Sequence, residues 1–259
     1  AAPSGQPVSL RDGLVYSRNR ITAQLMGDVG PARVARLARA MGVRQSPLEE
    51  VPSLALGTSP VTLREMVSAY ATLANGGAYL EPMLVTRVED KDGTLLEAFA
   101  PAAPEEALAP GPAYTLLDVM RGVVDRGTGS AIRRQFGLRA DLAGKTGTTQ
   151  DNTDGWFILM HPQLVGGAWV GFNDNRITLR SDYWGQGARS ALPVVGDTFH
   201  YALANRLVDA KVRFVSTEEP GWLAQGWSWV KGLFAPAPEP TPEPAPRRRK
   251  APAPEAPPP

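Results

Sequence analysis

The sequence predicts an α+β fold, in which an antiparallel sheet is flanked by helices. The first third of the chain carries apolar residues at helical spacing. Three apolar runs, over residues 142–149, 155–160 and 165–172, then follow one another after links of only a few residues. Because parallel crossovers need a dozen or more residues, such short links favour antiparallel neighbours. Helices, an antiparallel sheet and a closing helix together are typical of α+β domains.

The first third of the chain is predicted to be mostly helical. Apolar spacing predicts two short helices that meet at Ser17–Asn19, and Ser9 is a suitable N-cap for the first. An Ala/Arg-rich helix over residues 30–43 is expected to end at Gly42, since glycine readily adopts the backbone conformation that closes helices.

A longer helix and a hairpin are expected next. Thr62 and Glu65 have the spacing of a capping box, and Gly76–Gly77 provide a stop. Alternating residues around Lys91–Gly93, a turn signal, predict a β-hairpin. Residues 100–112 are rich in Ala and Pro and are predicted to form a loop.

The rest of the chain divides into helices, sheet and tail. Amphipathic segments over 113–127 and 190–207 predict helices on either side of the apolar runs. We therefore expect a domain over 1–215, an aromatic-rich extension over 216–234 and a disordered Pro/Ala-rich tail over 235–259. The tail has too little apolar surface to offset the entropy lost on ordering it.

The composition excludes several classes of function. Lys and Arg number 27 and Asp and Glu 26, so no overall positive field would attract nucleic acid, and no such partner is expected. There is no cysteine, and His161 and His200 lie far apart in sequence, so no metal or cofactor is expected. No run of about 20 apolar residues that could cross a bilayer is present.

The stretch around Gly144–Thr146 has two interpretations. A phosphate-binding loop follows G-x-x-x-x-G-K-[ST] and leads into a helix. Here Arg139 occupies the position of the first glycine, Gly137 comes two residues too early, and a β-type run follows. The alternative is K-T-G, one of three elements of the serine acyltransferases that act on D-Ala-D-Ala and β-lactams, the others being S-x-x-K and S-x-N.

The second interpretation is supported by several blocks in order. Ser17–Asn19 matches S-x-N, and Lys145–Gly147 matches K-T-G. Residues 7–207 resemble the transpeptidase domain of class A penicillin-binding proteins in the blocks VSLRDGLVYSRN, LGTSPVTLREMVSAYATLANGG, VVDRGTGSAIR, AGKTGTTQDNTDGWF and LVGGAWVGFND. The resemblance implies a serine β-lactamase/transpeptidase-like fold and a peptidoglycan D,D-transpeptidase that works through an acyl-enzyme.

The resemblance also implies roles for six residues. Ser17 would relay a proton to the leaving amine, and Asn19 would hold the substrate peptide or the lysine partner of the nucleophile. Lys145 would attract the substrate's terminal carboxylate. Thr146 and Thr148, at alternate positions of one strand, would hydrogen-bond that carboxylate. The backbone N–H of Thr148 would be one oxyanion donor, and Gly147 would allow close approach of a peptide.

The nucleophile is expected to be absent from the sequence. In the family S-x-x-K precedes S-x-N by several dozen residues, whereas only 16 residues precede Ser17 here. No serine anywhere in the chain is expected to begin an S-x-x-K element. The chain is therefore expected to be truncated at its N-terminus and inactive alone. A pseudoenzyme that binds stem peptides, or a D-Ala-D-Ala carboxypeptidase or β-lactamase-like hydrolase, remains an alternative.

The resemblance implies partners and a location as well. Peptidoglycan stem peptides and β-lactam antibiotics would be the ligands. A missing N-terminal anchor would tie the protein to the membrane, so the domain would work at the periplasmic face of the bacterial inner membrane.

Overall fold

The computed structural model describes residues 7–149, 153–174, 176–179, 181 and 183–215. The proposed segments over 216–234 and 235–259 lie outside the described residues. None of the helices that are described has the length and apolar character that a membrane span requires.

Helices and small antiparallel sheets make up the described chain, as predicted for an α+β fold. The helices are α1 (Leu10–Val15), α2 (Asn19–Val29), α3 (Pro31–Ala40), a 3₁₀ helix (Pro52–Leu56), α4 (Leu63–Ala74), α5 (Pro110–Asp125), α6 (Ala131–Arg134) and α7 (Ala191–Ala204). The strands are β1 (Ala78–Tyr79), β2 (Arg87–Glu89), β3 (Leu95–Ala98), β4 (Glu105–Glu106), β5 (Ala143–Thr148), β6 (Asp154–His161) and β7 (Leu164–Gly171).

The three apolar runs form one antiparallel sheet in the order β5-β6-β7, which confirms the prediction from their short links. The register pairs Lys145 with Ile158 and Gly147 with Trp156. Within the described chain β5 has only β6 as a neighbour, so it is an edge strand.

Helices cover both faces of this sheet because its side chains alternate between two apolar clusters. Phe157 and Leu159 pack with Phe199 and Leu192 of α7 on one face. On the other face Met160 joins α4 and α5 residues in a second cluster. The sheet is thus the middle layer of three, and only the ends and the free edge of β5 remain for a site.

The predicted helix caps and hairpin, which depend on residues close together in sequence, are confirmed. The backbone N–H of Asp12 donates to Ser9 Oγ over 3.0 Å, so Ser9 caps α1. Thr62 and Glu65 form the predicted capping box at the start of α4. Strands β2 and β3 pair as the predicted hairpin.

The expectation of a loop over residues 100–112 is wrong at two places, in the middle of that segment and at its C-terminal end. Glu105–Glu106 pair with Ala78–Tyr79 as a two-stranded sheet. Helix α5 also begins earlier than predicted, at Pro110, where proline suits the first turn. A two-residue strand is too short to carry a periodic signal, so the pairing depends on contacts distant in sequence.

Candidate active site

Ser17 lies at the sharp junction between α1 and α2. Its N–H donates to the carbonyl of Leu14 over 3.2 Å, and the N–H of Arg18 donates to that of Gly13 over 2.7 Å. These two bonds define a Schellman motif, whose closing residue is usually glycine because it adopts a positive φ. Here Ser17 occupies that position with φ +53°, an uncommon conformation for a residue with a side chain. The side chain at this turn is exposed.

The junction is held in place by the loop after α5. Val15 is completely buried, and its carbonyl oxygen accepts a 3.4 Å hydrogen bond from the N–H of Thr128. A side chain at Gly127 would collide with that carbonyl, so only glycine permits this approach. The loop therefore fixes Ser17 relative to the rest of the domain.

Lys145 reaches Ser17 from the edge strand β5. Its Nζ donates to Ser17 Oγ over 2.8 Å and to the carbonyl of Thr146 over 2.9 Å. Burial lowers the pKa of Lys145 to about 8, because the charged ammonium loses water in this position. No carboxylate of the described residues forms an ion pair with Lys145. The amine is thus able to exchange protons near neutral pH.

Thr146 is buried and points to the same loop that holds Ser17. Its Oγ1 lies 2.6 Å from Thr128 Oγ1, and either hydroxyl can be the donor. The block VVDRGTGSAIR contributed to the family resemblance, but Thr128 was not singled out from it. The only sequence signal was a hydroxyl between two glycines, and its partner is distant in sequence.

Thr148 and Gly147 lie where another segment crosses the sheet. Thr148 is exposed, and its Oγ1 accepts a 3.1 Å hydrogen bond from the N–H of Gly187. Gly187 itself packs against the backbone of Gly147 and Trp156, and a side chain there would collide with both. The contact between Gly187 and Thr148 was not predicted, and neither was the approach of the segment that carries Gly187.

The structure thus brings five of the six predicted residues together on β5 and the helix junction. Ser17 and Lys145 are hydrogen-bonded, and Thr146 to Thr148 continue the same strand. Asn19 begins α2 two residues after Ser17 and is exposed. No side-chain hydrogen bond joins Asn19 to another described residue.

The family of this chain follows from a comparison with known proteins. Residues 2–170 match the family described as penicillin binding protein transpeptidase domain, which is more than half of the chain. The chain belongs to this family. The predicted resemblance is confirmed, and Lys145 to Thr148 lie within the matched region.

Relatives of this transpeptidase domain include whole penicillin-binding proteins. Penicillin-binding protein 1A of Neisseria gonorrhoeae is 33% identical over 204 residues, which cover 77% of this chain and 25% of that protein. The chain thus spans about a quarter of the length of the curated relatives it matches.

Solved structures of the family share the fold. Penicillin-binding protein 1A of Haemophilus influenzae superimposes with a TM-score of 0.71 at 22% identity, over 80% of this chain and 38% of that one. The imipenem acyl-enzyme complex of penicillin-binding protein A from Mycobacterium tuberculosis gives 0.60 at 26% identity, over 78% and 50%. The fold is therefore the serine β-lactamase/transpeptidase-like fold that the sequence predicted.

One expectation about the sequence needs correction. Ser228 is followed by lysine at the third position, Lys231, so the chain does contain a literal S-x-x-K. This tetrapeptide follows K-T-G, whereas in the family pattern S-x-x-K comes before S-x-N. It also lies outside the described residues, so the expectation that the site's nucleophile is missing stays a prediction.

No metal centre is evident in the part of the chain that the structure describes. There, no three His, Cys, Asp or Glu side chains lie close enough to hold an ion. His161 is fully buried at the end of β6, and burial lowers its pKa.

Proposed function

We propose that this domain contributes one wall of the active site of a peptidoglycan D,D-transpeptidase that works through a serine acyl-enzyme. The observation that carries the proposal is the 2.8 Å hydrogen bond between Lys145 Nζ and Ser17 Oγ, which joins residues 128 positions apart. A partly buried amine beside an exposed hydroxyl on a strained turn is an arrangement suited to proton transfer.

Ser17 is the proton donor to the leaving group in this proposal. Because Ser17 Oγ accepts from Lys145, its own proton is free to point to the amine nitrogen of the departing D-Ala. As the C–N bond breaks, that nitrogen takes the hydroxyl proton, and the ammonium of Lys145 replaces it. The net result is that the ammonium of Lys145, whose pKa is about 8, gives up one proton and the departing amine gains one.

The edge of β5 is the proposed binding strand. A substrate peptide would add to this free edge by backbone hydrogen bonds. Lys145 would attract the terminal carboxylate. When Thr128 donates to Thr146, the Thr146 hydroxyl keeps its proton for that carboxylate, and exposed Thr148 supplies a second hydroxyl and an oxyanion N–H.

The nucleophile and Asn19 complete the proposal. We expect the attacking serine and its lysine partner in a part of the longer protein that precedes Ser17, according to the family order. Asn19, which is exposed and lies two residues after Ser17, would then hold the peptide or that lysine through its amide.

Partners and location follow from the same proposal. Stem peptides would be substrates, and β-lactams would acylate the nucleophile, as imipenem does in the complex of the M. tuberculosis protein. Cross-linking of the wall takes place outside the cytoplasm. We therefore place the domain at the periplasmic face of the inner membrane.

Labelled penicillin tests the proposal by intact-mass spectrometry. The longer protein, with the residues encoded upstream, is expected to gain the mass of one penicillin, and this chain alone is expected to gain none. An adduct on the isolated chain would refute the expected absence of the nucleophile.

The alternatives predict different results from the same preparation. A pseudoenzyme would bind stem peptides without forming any adduct even in the longer protein. A carboxypeptidase or β-lactamase-like hydrolase would form the adduct but pass the acyl group to water rather than to an added amine acceptor. Chromatography of the peptide products separates hydrolysis from transfer.

A further inference from the structure

Residues 183–190 lie directly against the proposed binding strand. The N–H of Gly187 donates to Thr148 Oγ1 over 3.1 Å, and the backbone of Gly187 fills the space over Gly147 and Trp156. Ser190 Oγ lies so close to Gly155 that a side chain on Gly155 would collide with it. The segment is therefore seated on the sheet at the Thr148 end of β5.

This segment presents a cation and two aromatic rings to solvent. Tyr183 and Trp184 are 52% and 58% exposed, and their rings meet edge to face with centroids 5.0 Å apart. The guanidinium of Arg189 lies 4.7 Å from the Tyr183 ring centroid, and its Nη1 donates to Tyr183 Oη over 3.4 Å. Stacking on the ring thus orders a long side chain that would otherwise sample many rotamers.

Arg189 lacks the carboxylate partner that eight other described arginines have. Eight of them, at positions 11, 39, 44, 87, 121, 126, 133 and 176, lie within 4 Å of a carboxylate. Arg189 is paired with no described carboxylate and is held by an aromatic ring instead. A guanidinium that is ordered but retains free donors is suited to bidentate binding of a carboxylate.

We propose that Tyr183, Trp184 and Arg189 form a second recognition point, which binds an internal carboxylate of the peptide lying on β5. The inference rests on the proposed function. A peptide that pairs with β5 and continues past Thr148 meets this segment, because Gly187 and Thr148 are in contact. Arg189 takes the carboxylate, and the Trp184 ring packs against the neighbouring peptide plane or aliphatic stem. This position is separate from that of the terminal carboxylate, which Lys145 attracts.

Peptide titrations of the 259-residue chain, followed by NMR, test this recognition point. Two synthetic stem peptides are compared, one with a free internal carboxylate and one with that group amidated. Arg189→Gln is expected to weaken binding of the free-carboxylate peptide about tenfold, the loss typical of one charge-assisted hydrogen-bond pair, and to leave the amidated peptide unchanged. Trp184→Ala is expected to weaken both peptides by a similar factor.

Arg36→Gln is the matched control, because Arg36 is exposed on α3 and has the same charge. It is expected to change neither affinity. Equal losses for both peptides with Arg189→Gln, or no loss for either, would overturn the recognition point while leaving the proposed function intact. If the unsubstituted chain binds neither peptide, the proposed function fails and the inference fails with it.

Discussion

Glu65 and Lys145 are both withdrawn from water, Glu65 fully and Lys145 in part, and their surroundings differ. Glu65, at the start of α4, accepts hydrogen bonds from three backbone N–H groups and from the hydroxyls of Ser46 and Thr62. Lys145, on β5, makes two hydrogen bonds, to Ser17 and to the carbonyl of Thr146. The carboxylate is surrounded by donors, whereas the ammonium has few acceptors.

The pKa values of both groups are lowered, which moves that of Glu65 away from neutral pH and that of Lys145 toward it. Burial alone would raise the pKa of Glu65, but hydrogen bonds from Ser46, Gln45 and Thr62 lower it to about 2. Burial lowers the pKa of Lys145 to about 8, with no hydrogen bond to the charged form that reverses it. A well-solvated buried charge stabilises a fold, and a poorly solvated one is ready to exchange a proton.

The largest expected effect that separates the two sites is that of Lys145→Met on acylation. In the longer protein we expect this substitution to slow acylation by labelled penicillin about 10³-fold, the scale of a lost acid–base group. The chain itself is expected to become more stable at pH 7, by on the order of 1–3 kcal/mol, because a buried ammonium is removed. Urea denaturation measures the second effect.

The pH dependence of that stability gain has a definite sign. The folded-state pKa of Lys145, about 8, lies below the ordinary value of 10.5, so the folded state holds fewer protons between these values. The cost of the buried charge is fully present below about pH 8 and is lost as the pH rises to 10.5. Lys91→Met on the exposed hairpin is the control, and it should change neither rate nor stability. Acylation at the normal rate by Lys145→Met would remove Lys145 from the mechanism.

Glu65→Gln is expected to have the next largest effect. It should lower the stability of the chain without slowing acylation. The amide keeps the shape of the side chain but loses the charge that five hydrogen-bond donors stabilise. The unfolding free energy should fall by about 3 kcal/mol at pH 7, while the acylation rate per folded molecule in the longer protein stays unchanged.

Acid should remove the difference in stability between the Glu65→Gln variant and the unsubstituted chain. Because the pKa of Glu65 is lowered to about 2 from an ordinary 4.5, its contribution is present above about pH 4.5 and is lost as the pH falls to 2. The stabilities of the Glu65→Gln variant and the unsubstituted chain should therefore converge in acid. Glu97→Gln, on the exposed strand β3, should change stability by less than about 0.5 kcal/mol. A Glu65→Gln variant as stable as the Glu97→Gln variant would contradict a structural role for the carboxylate.

The sequence predicted the parts of both sites that depend on neighbours in the chain. Thr62 and Glu65 are three residues apart, so their capping box could be recognised directly. Ser46, which supplies two of the other donors to Glu65, comes from a turn 19 residues earlier and gave no periodic or motif signal. Only packing places it there.

In the candidate site, some contacts were likewise predicted and others were not. Family resemblance predicted that Ser17 and Lys145 act together, and the fold places them in contact. Neither Thr128 nor Gly187 could be predicted as a partner of β5, since each depends on a loop packing against a distant strand. The positive φ of Ser17 was also unpredicted, because a sequence indicates that conformation only when glycine occupies the position.

The smallest expected effect concerns this backbone strain at Ser17. Ser17→Gly removes the cost of a positive φ, about 1 kcal/mol, but loses the hydroxyl and adds freedom to the unfolded chain. We expect stability to rise by no more than about 0.5 kcal/mol, as measured by urea denaturation, while transpeptidation by the longer protein falls. Ser17→Ala should lose the same activity without any gain in stability.

Arg206→Gly provides the matched control, because Arg206 is the other non-glycine residue with positive φ in the described chain, at +57° after α7. Its stability should also rise by a few tenths of a kcal/mol, but its activity should not change. If Ser17→Gly instead lowers stability, the hydrogen bond from Lys145 outweighs the strain, and the junction is held by that contact. If both glycine variants gain stability and only Ser17→Gly loses activity, the strained turn is retained for the hydroxyl that it positions.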